Sequence, residues 1–304
     1  MFAKLSQLSR QERRRFRVGL LFALPWIVGF LGFTLYPVIV SLYYSLNVYT
    51  TFGQPMRWVG LANYSELLTA DKLFWLSLYN TLYMVVLGIP FHLLLTFLLA
   101  LLLNMNLRGI SVYRTIFYLP TIVPVVATSI LWMWVFNPEY GLINAILDEL
   151  GIHGPGWLTD PDLAKPSLIL MGTWTIGSTL VIFLAGLQEV PRQLYDAAMI
   201  DGAGSWQQVR HVTLPMLSPV IFFNLVMGVI GGFQVFTQAF IMTKGGPLDA
   251  TLFYALYLYQ NAFEYFKMPY ASAMAWILFV VVIVATLVVF RSSARLVYYE
   301  GEER

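Results

Sequence analysis

Polar side chains that could bind a solute stand in two long apolar stretches of the sequence, residues 166–188 and 211–243. They are Thr173, Trp174, Thr175, Ser178 and Thr179 in the first stretch and Gln234 and Gln238 in the second. Hydroxyl groups, amides and aromatic rings suit a neutral, hydroxyl-rich molecule such as a sugar, whereas an ion inside a membrane would need a charged partner. Gln234 and Gln238 are four residues apart, so they are predicted to share one helical face. The alternative is that these groups bond neighbouring helices or their own backbone.

Residue patterns for catalysis are absent from the sequence. It has no G-x-x-x-x-G-K-[ST] phosphate loop, no H-E-x-x-H and no G-x-S-x-G. The chain has no cysteine, and its histidines, His92, His153 and His211, are too far apart in sequence to suggest a metal site. We therefore expect no enzyme activity, no metal and no cofactor in this chain. His92 is expected to be hydrogen-bonded among helices, with a ligand or proton-relay role as the alternative.

A loop between the two stretches, residues 189–219, carries several helix signals. Pro191 suits a first helical turn and Gly202 a stop, which predicts a short helix over residues 191–200. Ser205 and Gln208 have the spacing of a capping box, which predicts a second short helix over residues 206–212. Prolines 215 and 219 would then separate this helix pair from the next apolar stretch. Such a pair suits docking in a cleft of another protein, and the alternative is that it lies on a membrane surface.

The elements that must position these residues are membrane-spanning helices. The chain is 59% hydrophobic and 11% charged, with a mean hydropathy of +0.70, whereas soluble domains carry about 25% charged residues. Six charge-free runs of at least 23 residues occur, each long enough for one helical crossing. Their apolar cores are residues 20–46, 78–103, 116–136, 168–187, 220–241 and 271–289. The sequence thus predicts an all-α polytopic membrane protein with six transmembrane helices.

The distribution of basic residues predicts the orientation. Six crossings place both termini on one side, and with that side inside, the inner segments hold 13 Lys and Arg against five in the outer loops. Both termini are therefore expected in the cytoplasm, with a basic tail at residues 1–17, a six-helix transmembrane domain at residues 18–290 whose first span is uncleaved, and a second tail at residues 291–304. The loop at residues 189–215 would then be cytoplasmic. The basic residues are dispersed, so we expect no nucleic-acid partner.

The cytoplasmic loop closely resembles the EAA loop of permeases from binding-protein-dependent ABC importers. The resemblance rests on Tyr195-Asp-Ala-Ala-x-x-Asp201-Gly-Ala followed by Leu214-Pro215. In that family the loop forms a coupling helix that seats in the ATPase subunit. The coupling residues that the resemblance implies are Leu194, Tyr195, Asp196, Ala197, Ala198, Asp201, Gly202, Ala203, Leu214 and Pro215. Asp196 stands where the family usually has Glu, a change that keeps the charge on a shorter side chain.

The resemblance extends along nearly the whole chain, to the carbohydrate-uptake or MalF-like branch. The segments that carry it are residues 59–64, 118–124, 136–144 and 243–247. It implies the type I ABC importer permease core, also called MetI-like, with a sugar site on the middle helices. Combined with the polar residues above, the expected substrate pathway consists of Ser129, Trp174, Thr175, Ser178, Thr179, Gly232, Gln234, Val235 and Gln238.

The resemblance also implies partners and a location. They are a second homologous permease subunit, two ATPase subunits that hold ATP and Mg, an extracytoplasmic sugar-binding protein and the lipid of a prokaryotic inner membrane. Within this class, glycerol phosphate or another polar solute could replace the sugar. From a different class, a secondary transporter driven by an ion gradient stays an alternative, although such proteins ordinarily carry intramembrane acids or discontinuous repeats. A structural or channel subunit is a third possibility.

Overall fold

The computed structural model describes residues 10–49, 56–105 and 108–293. Its α-helices are α1 Arg10–Phe30, α2 Tyr36–Ser45, α3 Ala62–Thr69, α4 Lys72–Tyr83, α5 Ile89–Leu103, α6 Ile110–Tyr118, α7 Val125–Val135, α8 Leu142–Glu149, α9 Pro161–Gly172, α10 Gly177–Glu189, α11 Arg192–Ile200, α12 Ser205–Gln208, α13 Leu214–Gly232, α14 Thr237–Met242, α15 Tyr254–Tyr259 and α16 Met268–Ser293. Two strands, β1 Asn47–Val48 and β2 Arg57–Trp58, form an antiparallel pair. Helix α1 begins inside the predicted amino-terminal tail, while residues 1–9 and 294–304 of the two tails lie outside the described residues.

Four of the predicted crossings are long apolar helices. They are Arg14–Ser45, Lys72–Leu103, Ser205–Gly232 and Met268–Ser292, which we name spans one, two, five and six. Within spans one, two and five, π-helical turns at Leu31–Leu35, Met84–Gly88 and Val209–Thr213 join consecutive α-helices. A π-turn adds one residue to a helical turn without ending the helix, so each span continues through it.

The other two predicted crossings are broken. Span three consists of Ile110–Ile122 and Val125–Val135, which meet at 103°, and span four of Pro161–Thr175 and Gly177–Glu189, which meet at 53°. A 3₁₀ turn precedes each break, Leu119–Ile122 in span three and Thr173–Thr175 in span four. The described chain therefore has six crossings when each bent pair is counted as one.

Span five ends earlier than the sequence suggested. We predicted an apolar core over residues 220–241, but the helix stops at Gly232 and α14 starts only at Thr237. Gln234 lies in the segment between them and Gln238 on α14, so the prediction that they share one helical face is wrong. Two glycines at the end of α13, Gly231 and Gly232, favour the stop because glycine is a weak helix former.

The chain forms two compact units, and the smaller comprises Met1–Leu67 with Asn261–Trp276. Among its described residues, Asn63 fixes the end of α2 by donating from its amide to the carbonyls of Ser45 and Asn47, both at 2.8 Å. Tyr64 donates to the Ser45 hydroxyl at 2.8 Å. The segment at residues 59–64, quoted for the family resemblance, is thus hydrogen-bonded to the end of α2 and to β1.

The larger unit, Leu68–Gln260 with Ile277–Arg304, contains the main apolar core. Helices α5, α10 and α13 supply its buried side chains, including Phe97, Phe183 and Leu217, and the Phe97 and Phe183 rings lie 6.2 Å apart. A second cluster centres on Val85, Val229 and Phe233. Both clusters join span two to span five. We call these two spans the frame, because the broken spans pack against them.

Glycines allow the closest helix contacts in this frame. A Cβ atom on Gly228 would lie 2.9 Å from Cγ2 of Ile89, and one on Gly232 would lie 3.0 Å from Cγ2 of Val85. The sequence motif of small residues four apart predicts this close packing, and the structure confirms it. At the break in span four, a Cβ atom on Gly177 would overlap the Phe117 carbonyl oxygen and lie 2.8 Å from the α-carbon of Tyr118.

Replacement of Gly177 is expected to destabilise the larger unit. In Gly177→Ala the new methyl group meets backbone atoms that cannot rotate away, and overpacking of this kind costs about 1–3 kcal/mol. Gly231→Ala is the matched control, because nothing lies within 4 Å of a Cβ atom there. Thermal unfolding of the purified protein in detergent should show a lower midpoint for Gly177→Ala and no loss for Gly231→Ala. Equal midpoints would contradict the packing described for this break.

Candidate functional site

Two adjoining cavities lie within the larger unit, beside the break in span four. Their volumes are about 380 Å³ and about 390 Å³, and we call them the first and second cavity. Residues that line both are Met84, His92, Gly172, Thr175 and Val235. These five residues therefore form the boundary between the cavities, and they come from span two, span four and the segment after α13.

Span two presents a continuous face to the first cavity. Met84, Gly88, His92 and Thr96 follow one another at intervals of four residues, and all four line it. The Thr96 hydroxyl donates to the His92 carbonyl at 2.6 Å. Asn224 of α13 lines the same cavity and donates from its amide to the Val220 carbonyl at 2.8 Å, which leaves its side-chain oxygen as an acceptor.

His92 joins span two to the broken span four. Its Nε2 lies 2.8 Å from the carbonyl oxygen of Ile169, a contact that confirms the prediction of a hydrogen bond among helices. In an unbroken α-helix the Thr173 amide would donate to the Ile169 carbonyl, but here it donates to the Leu170 carbonyl. The ring of His92 therefore supplies a donor at the point where the helix tightens into its 3₁₀ turn.

The predicted pathway residues divide into two groups. Those that line a cavity are Thr175, Thr179, Gly232, Val235 and Gln238. Ser129, Trp174, Ser178 and Gln234 line neither. Ser129 is buried and donates to the Val125 carbonyl at 2.8 Å, and Trp174 packs edge-on to Trp132 with ring centroids 6.1 Å apart. The structure thus brings together five of the nine predicted residues.

Sequence reasoning missed the contribution of span two and of Asn224. The signal was present in the interval of four that links Gly88, His92 and Thr96, a face of small and polar residues on an otherwise apolar helix. Asn224 is likewise an amide in a charge-free run, the same run that contains Gln234 and Gln238. No Asp, Glu, Lys or Arg lines either cavity among the described residues.

The predicted loop helices form a second candidate site, which we call the knuckle, residues 191–213. Helix α11 ends in a Schellman motif, in which the Gly202 amide bonds to the Met199 carbonyl at 3.0 Å and the Ala203 amide to the Ala198 carbonyl at 2.9 Å. Gly202 has φ +80°, a conformation that favours glycine. The predicted stop at Gly202 is confirmed, whereas Pro191 is the residue before the helix rather than its first residue.

The start of the second knuckle helix differs from the prediction. The Gln207 side chain accepts a bond from the Gly204 amide at 2.7 Å, so the reaching-back residue is Gln207 and the predicted pairing of Ser205 with Gln208 is wrong. Gly204 is extended, with ψ 168°, as is usual for the residue before a helix, and the helix therefore begins at Ser205, one residue earlier than predicted.

This second helix is also not separate from span five. It passes through the π-turn Val209–Thr213 into α13, and Pro215 and Pro219 do not interrupt it. Pro219 has no amide to bond with the Pro215 carbonyl, and the Ser218 hydroxyl donates to that carbonyl instead, at 2.6 Å. Residues 205–213 of the knuckle thus form the first part of a membrane-spanning helix.

The knuckle presents an exposed apolar surface. Ile200 and Trp206 are 87% and 70% exposed, and Met199 and Leu194 are also exposed. Behind this surface the Tyr195 hydroxyl lies 3.0 Å from the buried Thr213 hydroxyl and ties α11 to span five. A groove of about 260 Å³ between the two helices is lined by Ala198, Asp201, Gly202, Ala203, Gln207, His211 and Val212.

The predicted coupling residues lie in the knuckle and at the start of α13. Eight of them, Leu194 to Ala198 and Asp201 to Ala203, belong to the knuckle, and Leu214 and Pro215 open α13. Asp196 and Asp201 are exposed and form no ion pair with another described residue. Their role in coupling stays a prediction.

Comparison with known proteins identifies relatives along almost the whole chain. A protein family described as binding-protein-dependent transport system inner membrane component matches residues 77–297. YesP of Bacillus subtilis strain 168, a probable ABC transporter permease, is 44% identical over 299 residues, which cover 97% of this chain and 96% of YesP. LacF of Rhizobium radiobacter, a lactose transport system permease, is 37% identical, and the match covers 94% of each chain.

A solved structure shares the fold. It is a bacterial ABC transporter involved in the import of the acidic polysaccharide alginate, and one of its chains matches with a TM-score of 0.82 and 26% identity. The match covers 95% of this chain and 100% of the other.

Replacement of Gly202 should loosen the end of α11. An L-residue in the left-handed conformation costs about 1–2 kcal/mol, which corresponds to roughly 5- to 30-fold faster local opening. Hydrogen exchange at the amides of residues 202 and 203 should therefore accelerate by that factor in Gly202→Ala. Gly204→Ala is the control, since its φ is ordinary and its Cβ would meet only the Gln207 side chain at 3.8 Å. Unchanged exchange in Gly202→Ala would contradict a role for the Schellman motif.

Proposed function

Because the chain belongs to the family of binding-protein-dependent transport system inner membrane components, we propose that it forms half of a pathway for a neutral sugar and that separate ATPase subunits drive it through the knuckle. Family membership makes it a permease subunit of a binding-protein-dependent importer, as the sequence resemblance implied. The predicted fold class, an all-α polytopic membrane protein with the type I importer permease core, is likewise confirmed.

The observation that carries the substrate assignment is the chemistry of the two cavities. Their polar groups are the imidazole of His92, the hydroxyls of Thr96, Thr121, Thr128, Thr175 and Thr179 and the amides of Asn224 and Gln238. These groups can exchange hydrogen bonds with sugar hydroxyls, and no lysine or arginine is present among the linings to neutralise a carboxylate or a phosphate. The relative LacF belongs to a lactose transport system, and lactose is a neutral sugar of the class that these cavities suit.

The exposed surface of the knuckle supports the coupling role. Ile200 and Trp206 are large apolar side chains on a protruding element, and apolar surface of this kind marks a contact site. The internal bond between Tyr195 and Thr213 and the Schellman motif keep the element rigid enough to transmit force. Docking in a cleft of an ATPase subunit would bury these side chains, and ATP and Mg would be bound there rather than in this chain.

The assembly and its orientation complete the proposal. The chain pairs with a second homologous permease, two ATPase subunits bind from the cytoplasm, and an extracytoplasmic sugar-binding protein delivers the substrate. The excess of basic residues in the predicted inner segments supports cytoplasmic termini in a prokaryotic inner membrane. The charge-free cavities disfavour both glycerol phosphate as substrate and coupling to an ion gradient, since either would need a charged partner near the pathway.

Uptake by the reconstituted complex tests the substrate class. In liposomes that contain ATP and the complete importer with its binding protein, ¹⁴C-labelled neutral di- and trisaccharides, including lactose and maltose, should be taken up. A labelled alginate trisaccharide should not be. Omission of ATP is the control and should abolish uptake. Uptake that follows an ion gradient without ATP, or uptake of the acidic trisaccharide alone, would contradict the proposal.

Substitution in the knuckle tests the coupling role. Burial of an isoleucine side chain contributes about 1.5–3 kcal/mol, so Ile200→Ser should weaken ATPase binding roughly 10- to 100-fold and reduce ATP-driven uptake with it. Binding of the ATPase subunits to the immobilised permease gives the measurement. Leu150→Ser is the control, because Leu150 is 70% exposed in the loop after α8, away from the knuckle in sequence. Equal ATPase affinity in the two variants would refute the docking surface.

A further inference from the structure

His92 occupies a position that the predicted pathway did not include. It stands on span two, half-buried, and lines both cavities at their boundary. Of the five boundary residues, only His92 and Thr175 have side chains that form conventional hydrogen bonds. A solute in either cavity therefore lies in a space lined by these two groups.

The hydrogen bond to Ile169 determines which ring nitrogen is left to accept a hydrogen bond. A carbonyl oxygen only accepts, so the Nε2 atom of His92 carries the proton in this 2.8 Å contact. In the neutral imidazole, Nδ1 is then an acceptor. Nδ1 makes no hydrogen bond to any other residue in the described parts of the chain.

Gly172 holds the ring in this orientation. A Cβ atom at residue 172 would overlap Cε1 of the ring and lie 2.7 Å from Nε2. The absence of a side chain there lets the imidazole reach the carbonyl of Ile169, three residues earlier on α9. The ring thus lies between span two and the break in span four, and its Nε2 edge is hydrogen-bonded to the backbone of Ile169.

We propose that His92 determines substrate specificity: its Nδ1 accepts a hydrogen bond from one hydroxyl of the sugar as the sugar crosses the boundary, while Nε2–H holds span four in place. This inference rests on the proposed function, because it takes a neutral sugar as the solute. It assigns two separable roles to one side chain, and substitutions can remove one without the other.

His92→Gln separates the two roles. The glutamine amide can place a donor near the former Nε2 and preserve the bond to Ile169, but it offers no acceptor at the position of Nδ1. The complete importer in liposomes is supplied with lactose or maltose, whichever wild type takes up faster, and with the monodeoxy analogues of that sugar. One neutral hydrogen bond is worth about a 2- to 10-fold preference. Wild type should prefer the parent sugar by this factor over one analogue, and His92→Gln should lose that preference at the same hydroxyl only.

The same binding protein is used with wild type and with His92→Gln. Its own preference among the sugar analogues therefore cancels when the two permeases are compared. The partner permease and the ATPase subunits should co-purify with His92→Gln in the wild-type ratio, which shows that the assembly is intact. If His92→Gln keeps every preference of wild type, Nδ1 does not contact the sugar and the assignment is overturned. If wild type takes up none of the neutral di- and trisaccharides, the proposed function is overturned and the His92 assignment with it.

A second measurement requires no substitution at His92. With only this chain labelled with ¹⁵N-histidine, the resonance of the unprotonated His92 nitrogen should move upfield when the sugar is added to the complete importer, because that nitrogen gains a hydrogen bond. His153→Gln and His211→Gln identify the other two signals. An unmoved resonance under conditions of uptake would overturn the assignment even if His92→Gln failed to assemble.

Discussion

Lipid offers no hydrogen bonds, so each irregular backbone segment within the membrane must find its partners inside the protein. The larger unit shows how this constraint is met. The His92 ring donates a hydrogen bond to the Ile169 carbonyl where span four tightens into a 3₁₀ turn. The Ser218 hydroxyl donates to the Pro215 carbonyl, for which Pro219 has no amide. At the end of span two, the guanidinium of Arg114 donates to the Leu103 carbonyl at 2.8 Å and 3.1 Å. Each of these departures from a regular helix has a side chain assigned to it, and the departure in span four lies where a cavity has formed.

The crossings could be predicted because the cost of a charge in lipid is a property of each residue separately. A charge-free run is visible without knowledge of its neighbours, and six such runs gave six crossings. The breaks in spans three and four could not be predicted in this way. Gly177 is needed because the backbone of Phe117 and Tyr118 lies against it, and the contact of His92 with Ile169 joins residues that are 77 positions apart. A hydropathy window contains neither partner.

The knuckle was more predictable than the cavities, and the reason is again the range of the interactions. The stop at Gly202 depends on bonds within five residues, between Ala198 and Ala203, so the sequence contains all of its determinants. The error of one residue at the next helix arose because Gly204, and not Ser205, is the residue before the helix, and its amide donates to the Gln207 side chain. For the cavities, the spacing of four residues between Gly88, His92 and Thr96 on span two was visible in the sequence. That this face lines a cavity could be recognised only in the structure, where residues of span four and α13 line the same cavity.

The helix that begins at Ser205 continues to Gly232 over 28 residues. At 1.5 Å per residue its length is about 42 Å. Its lower end is a surface element and its upper end packs through Gly228 and Gly232 against Ile89 and Val85, next to the cavity boundary. A rod of this length works as a lever: a tilt of only about 5° at the base carries the opposite end about 4 Å sideways. In the proposed assembly, a small rotation imposed on the knuckle would therefore displace the Gly232 end of this helix, beside the cavities, by a distance on the scale of a sugar hydroxyl.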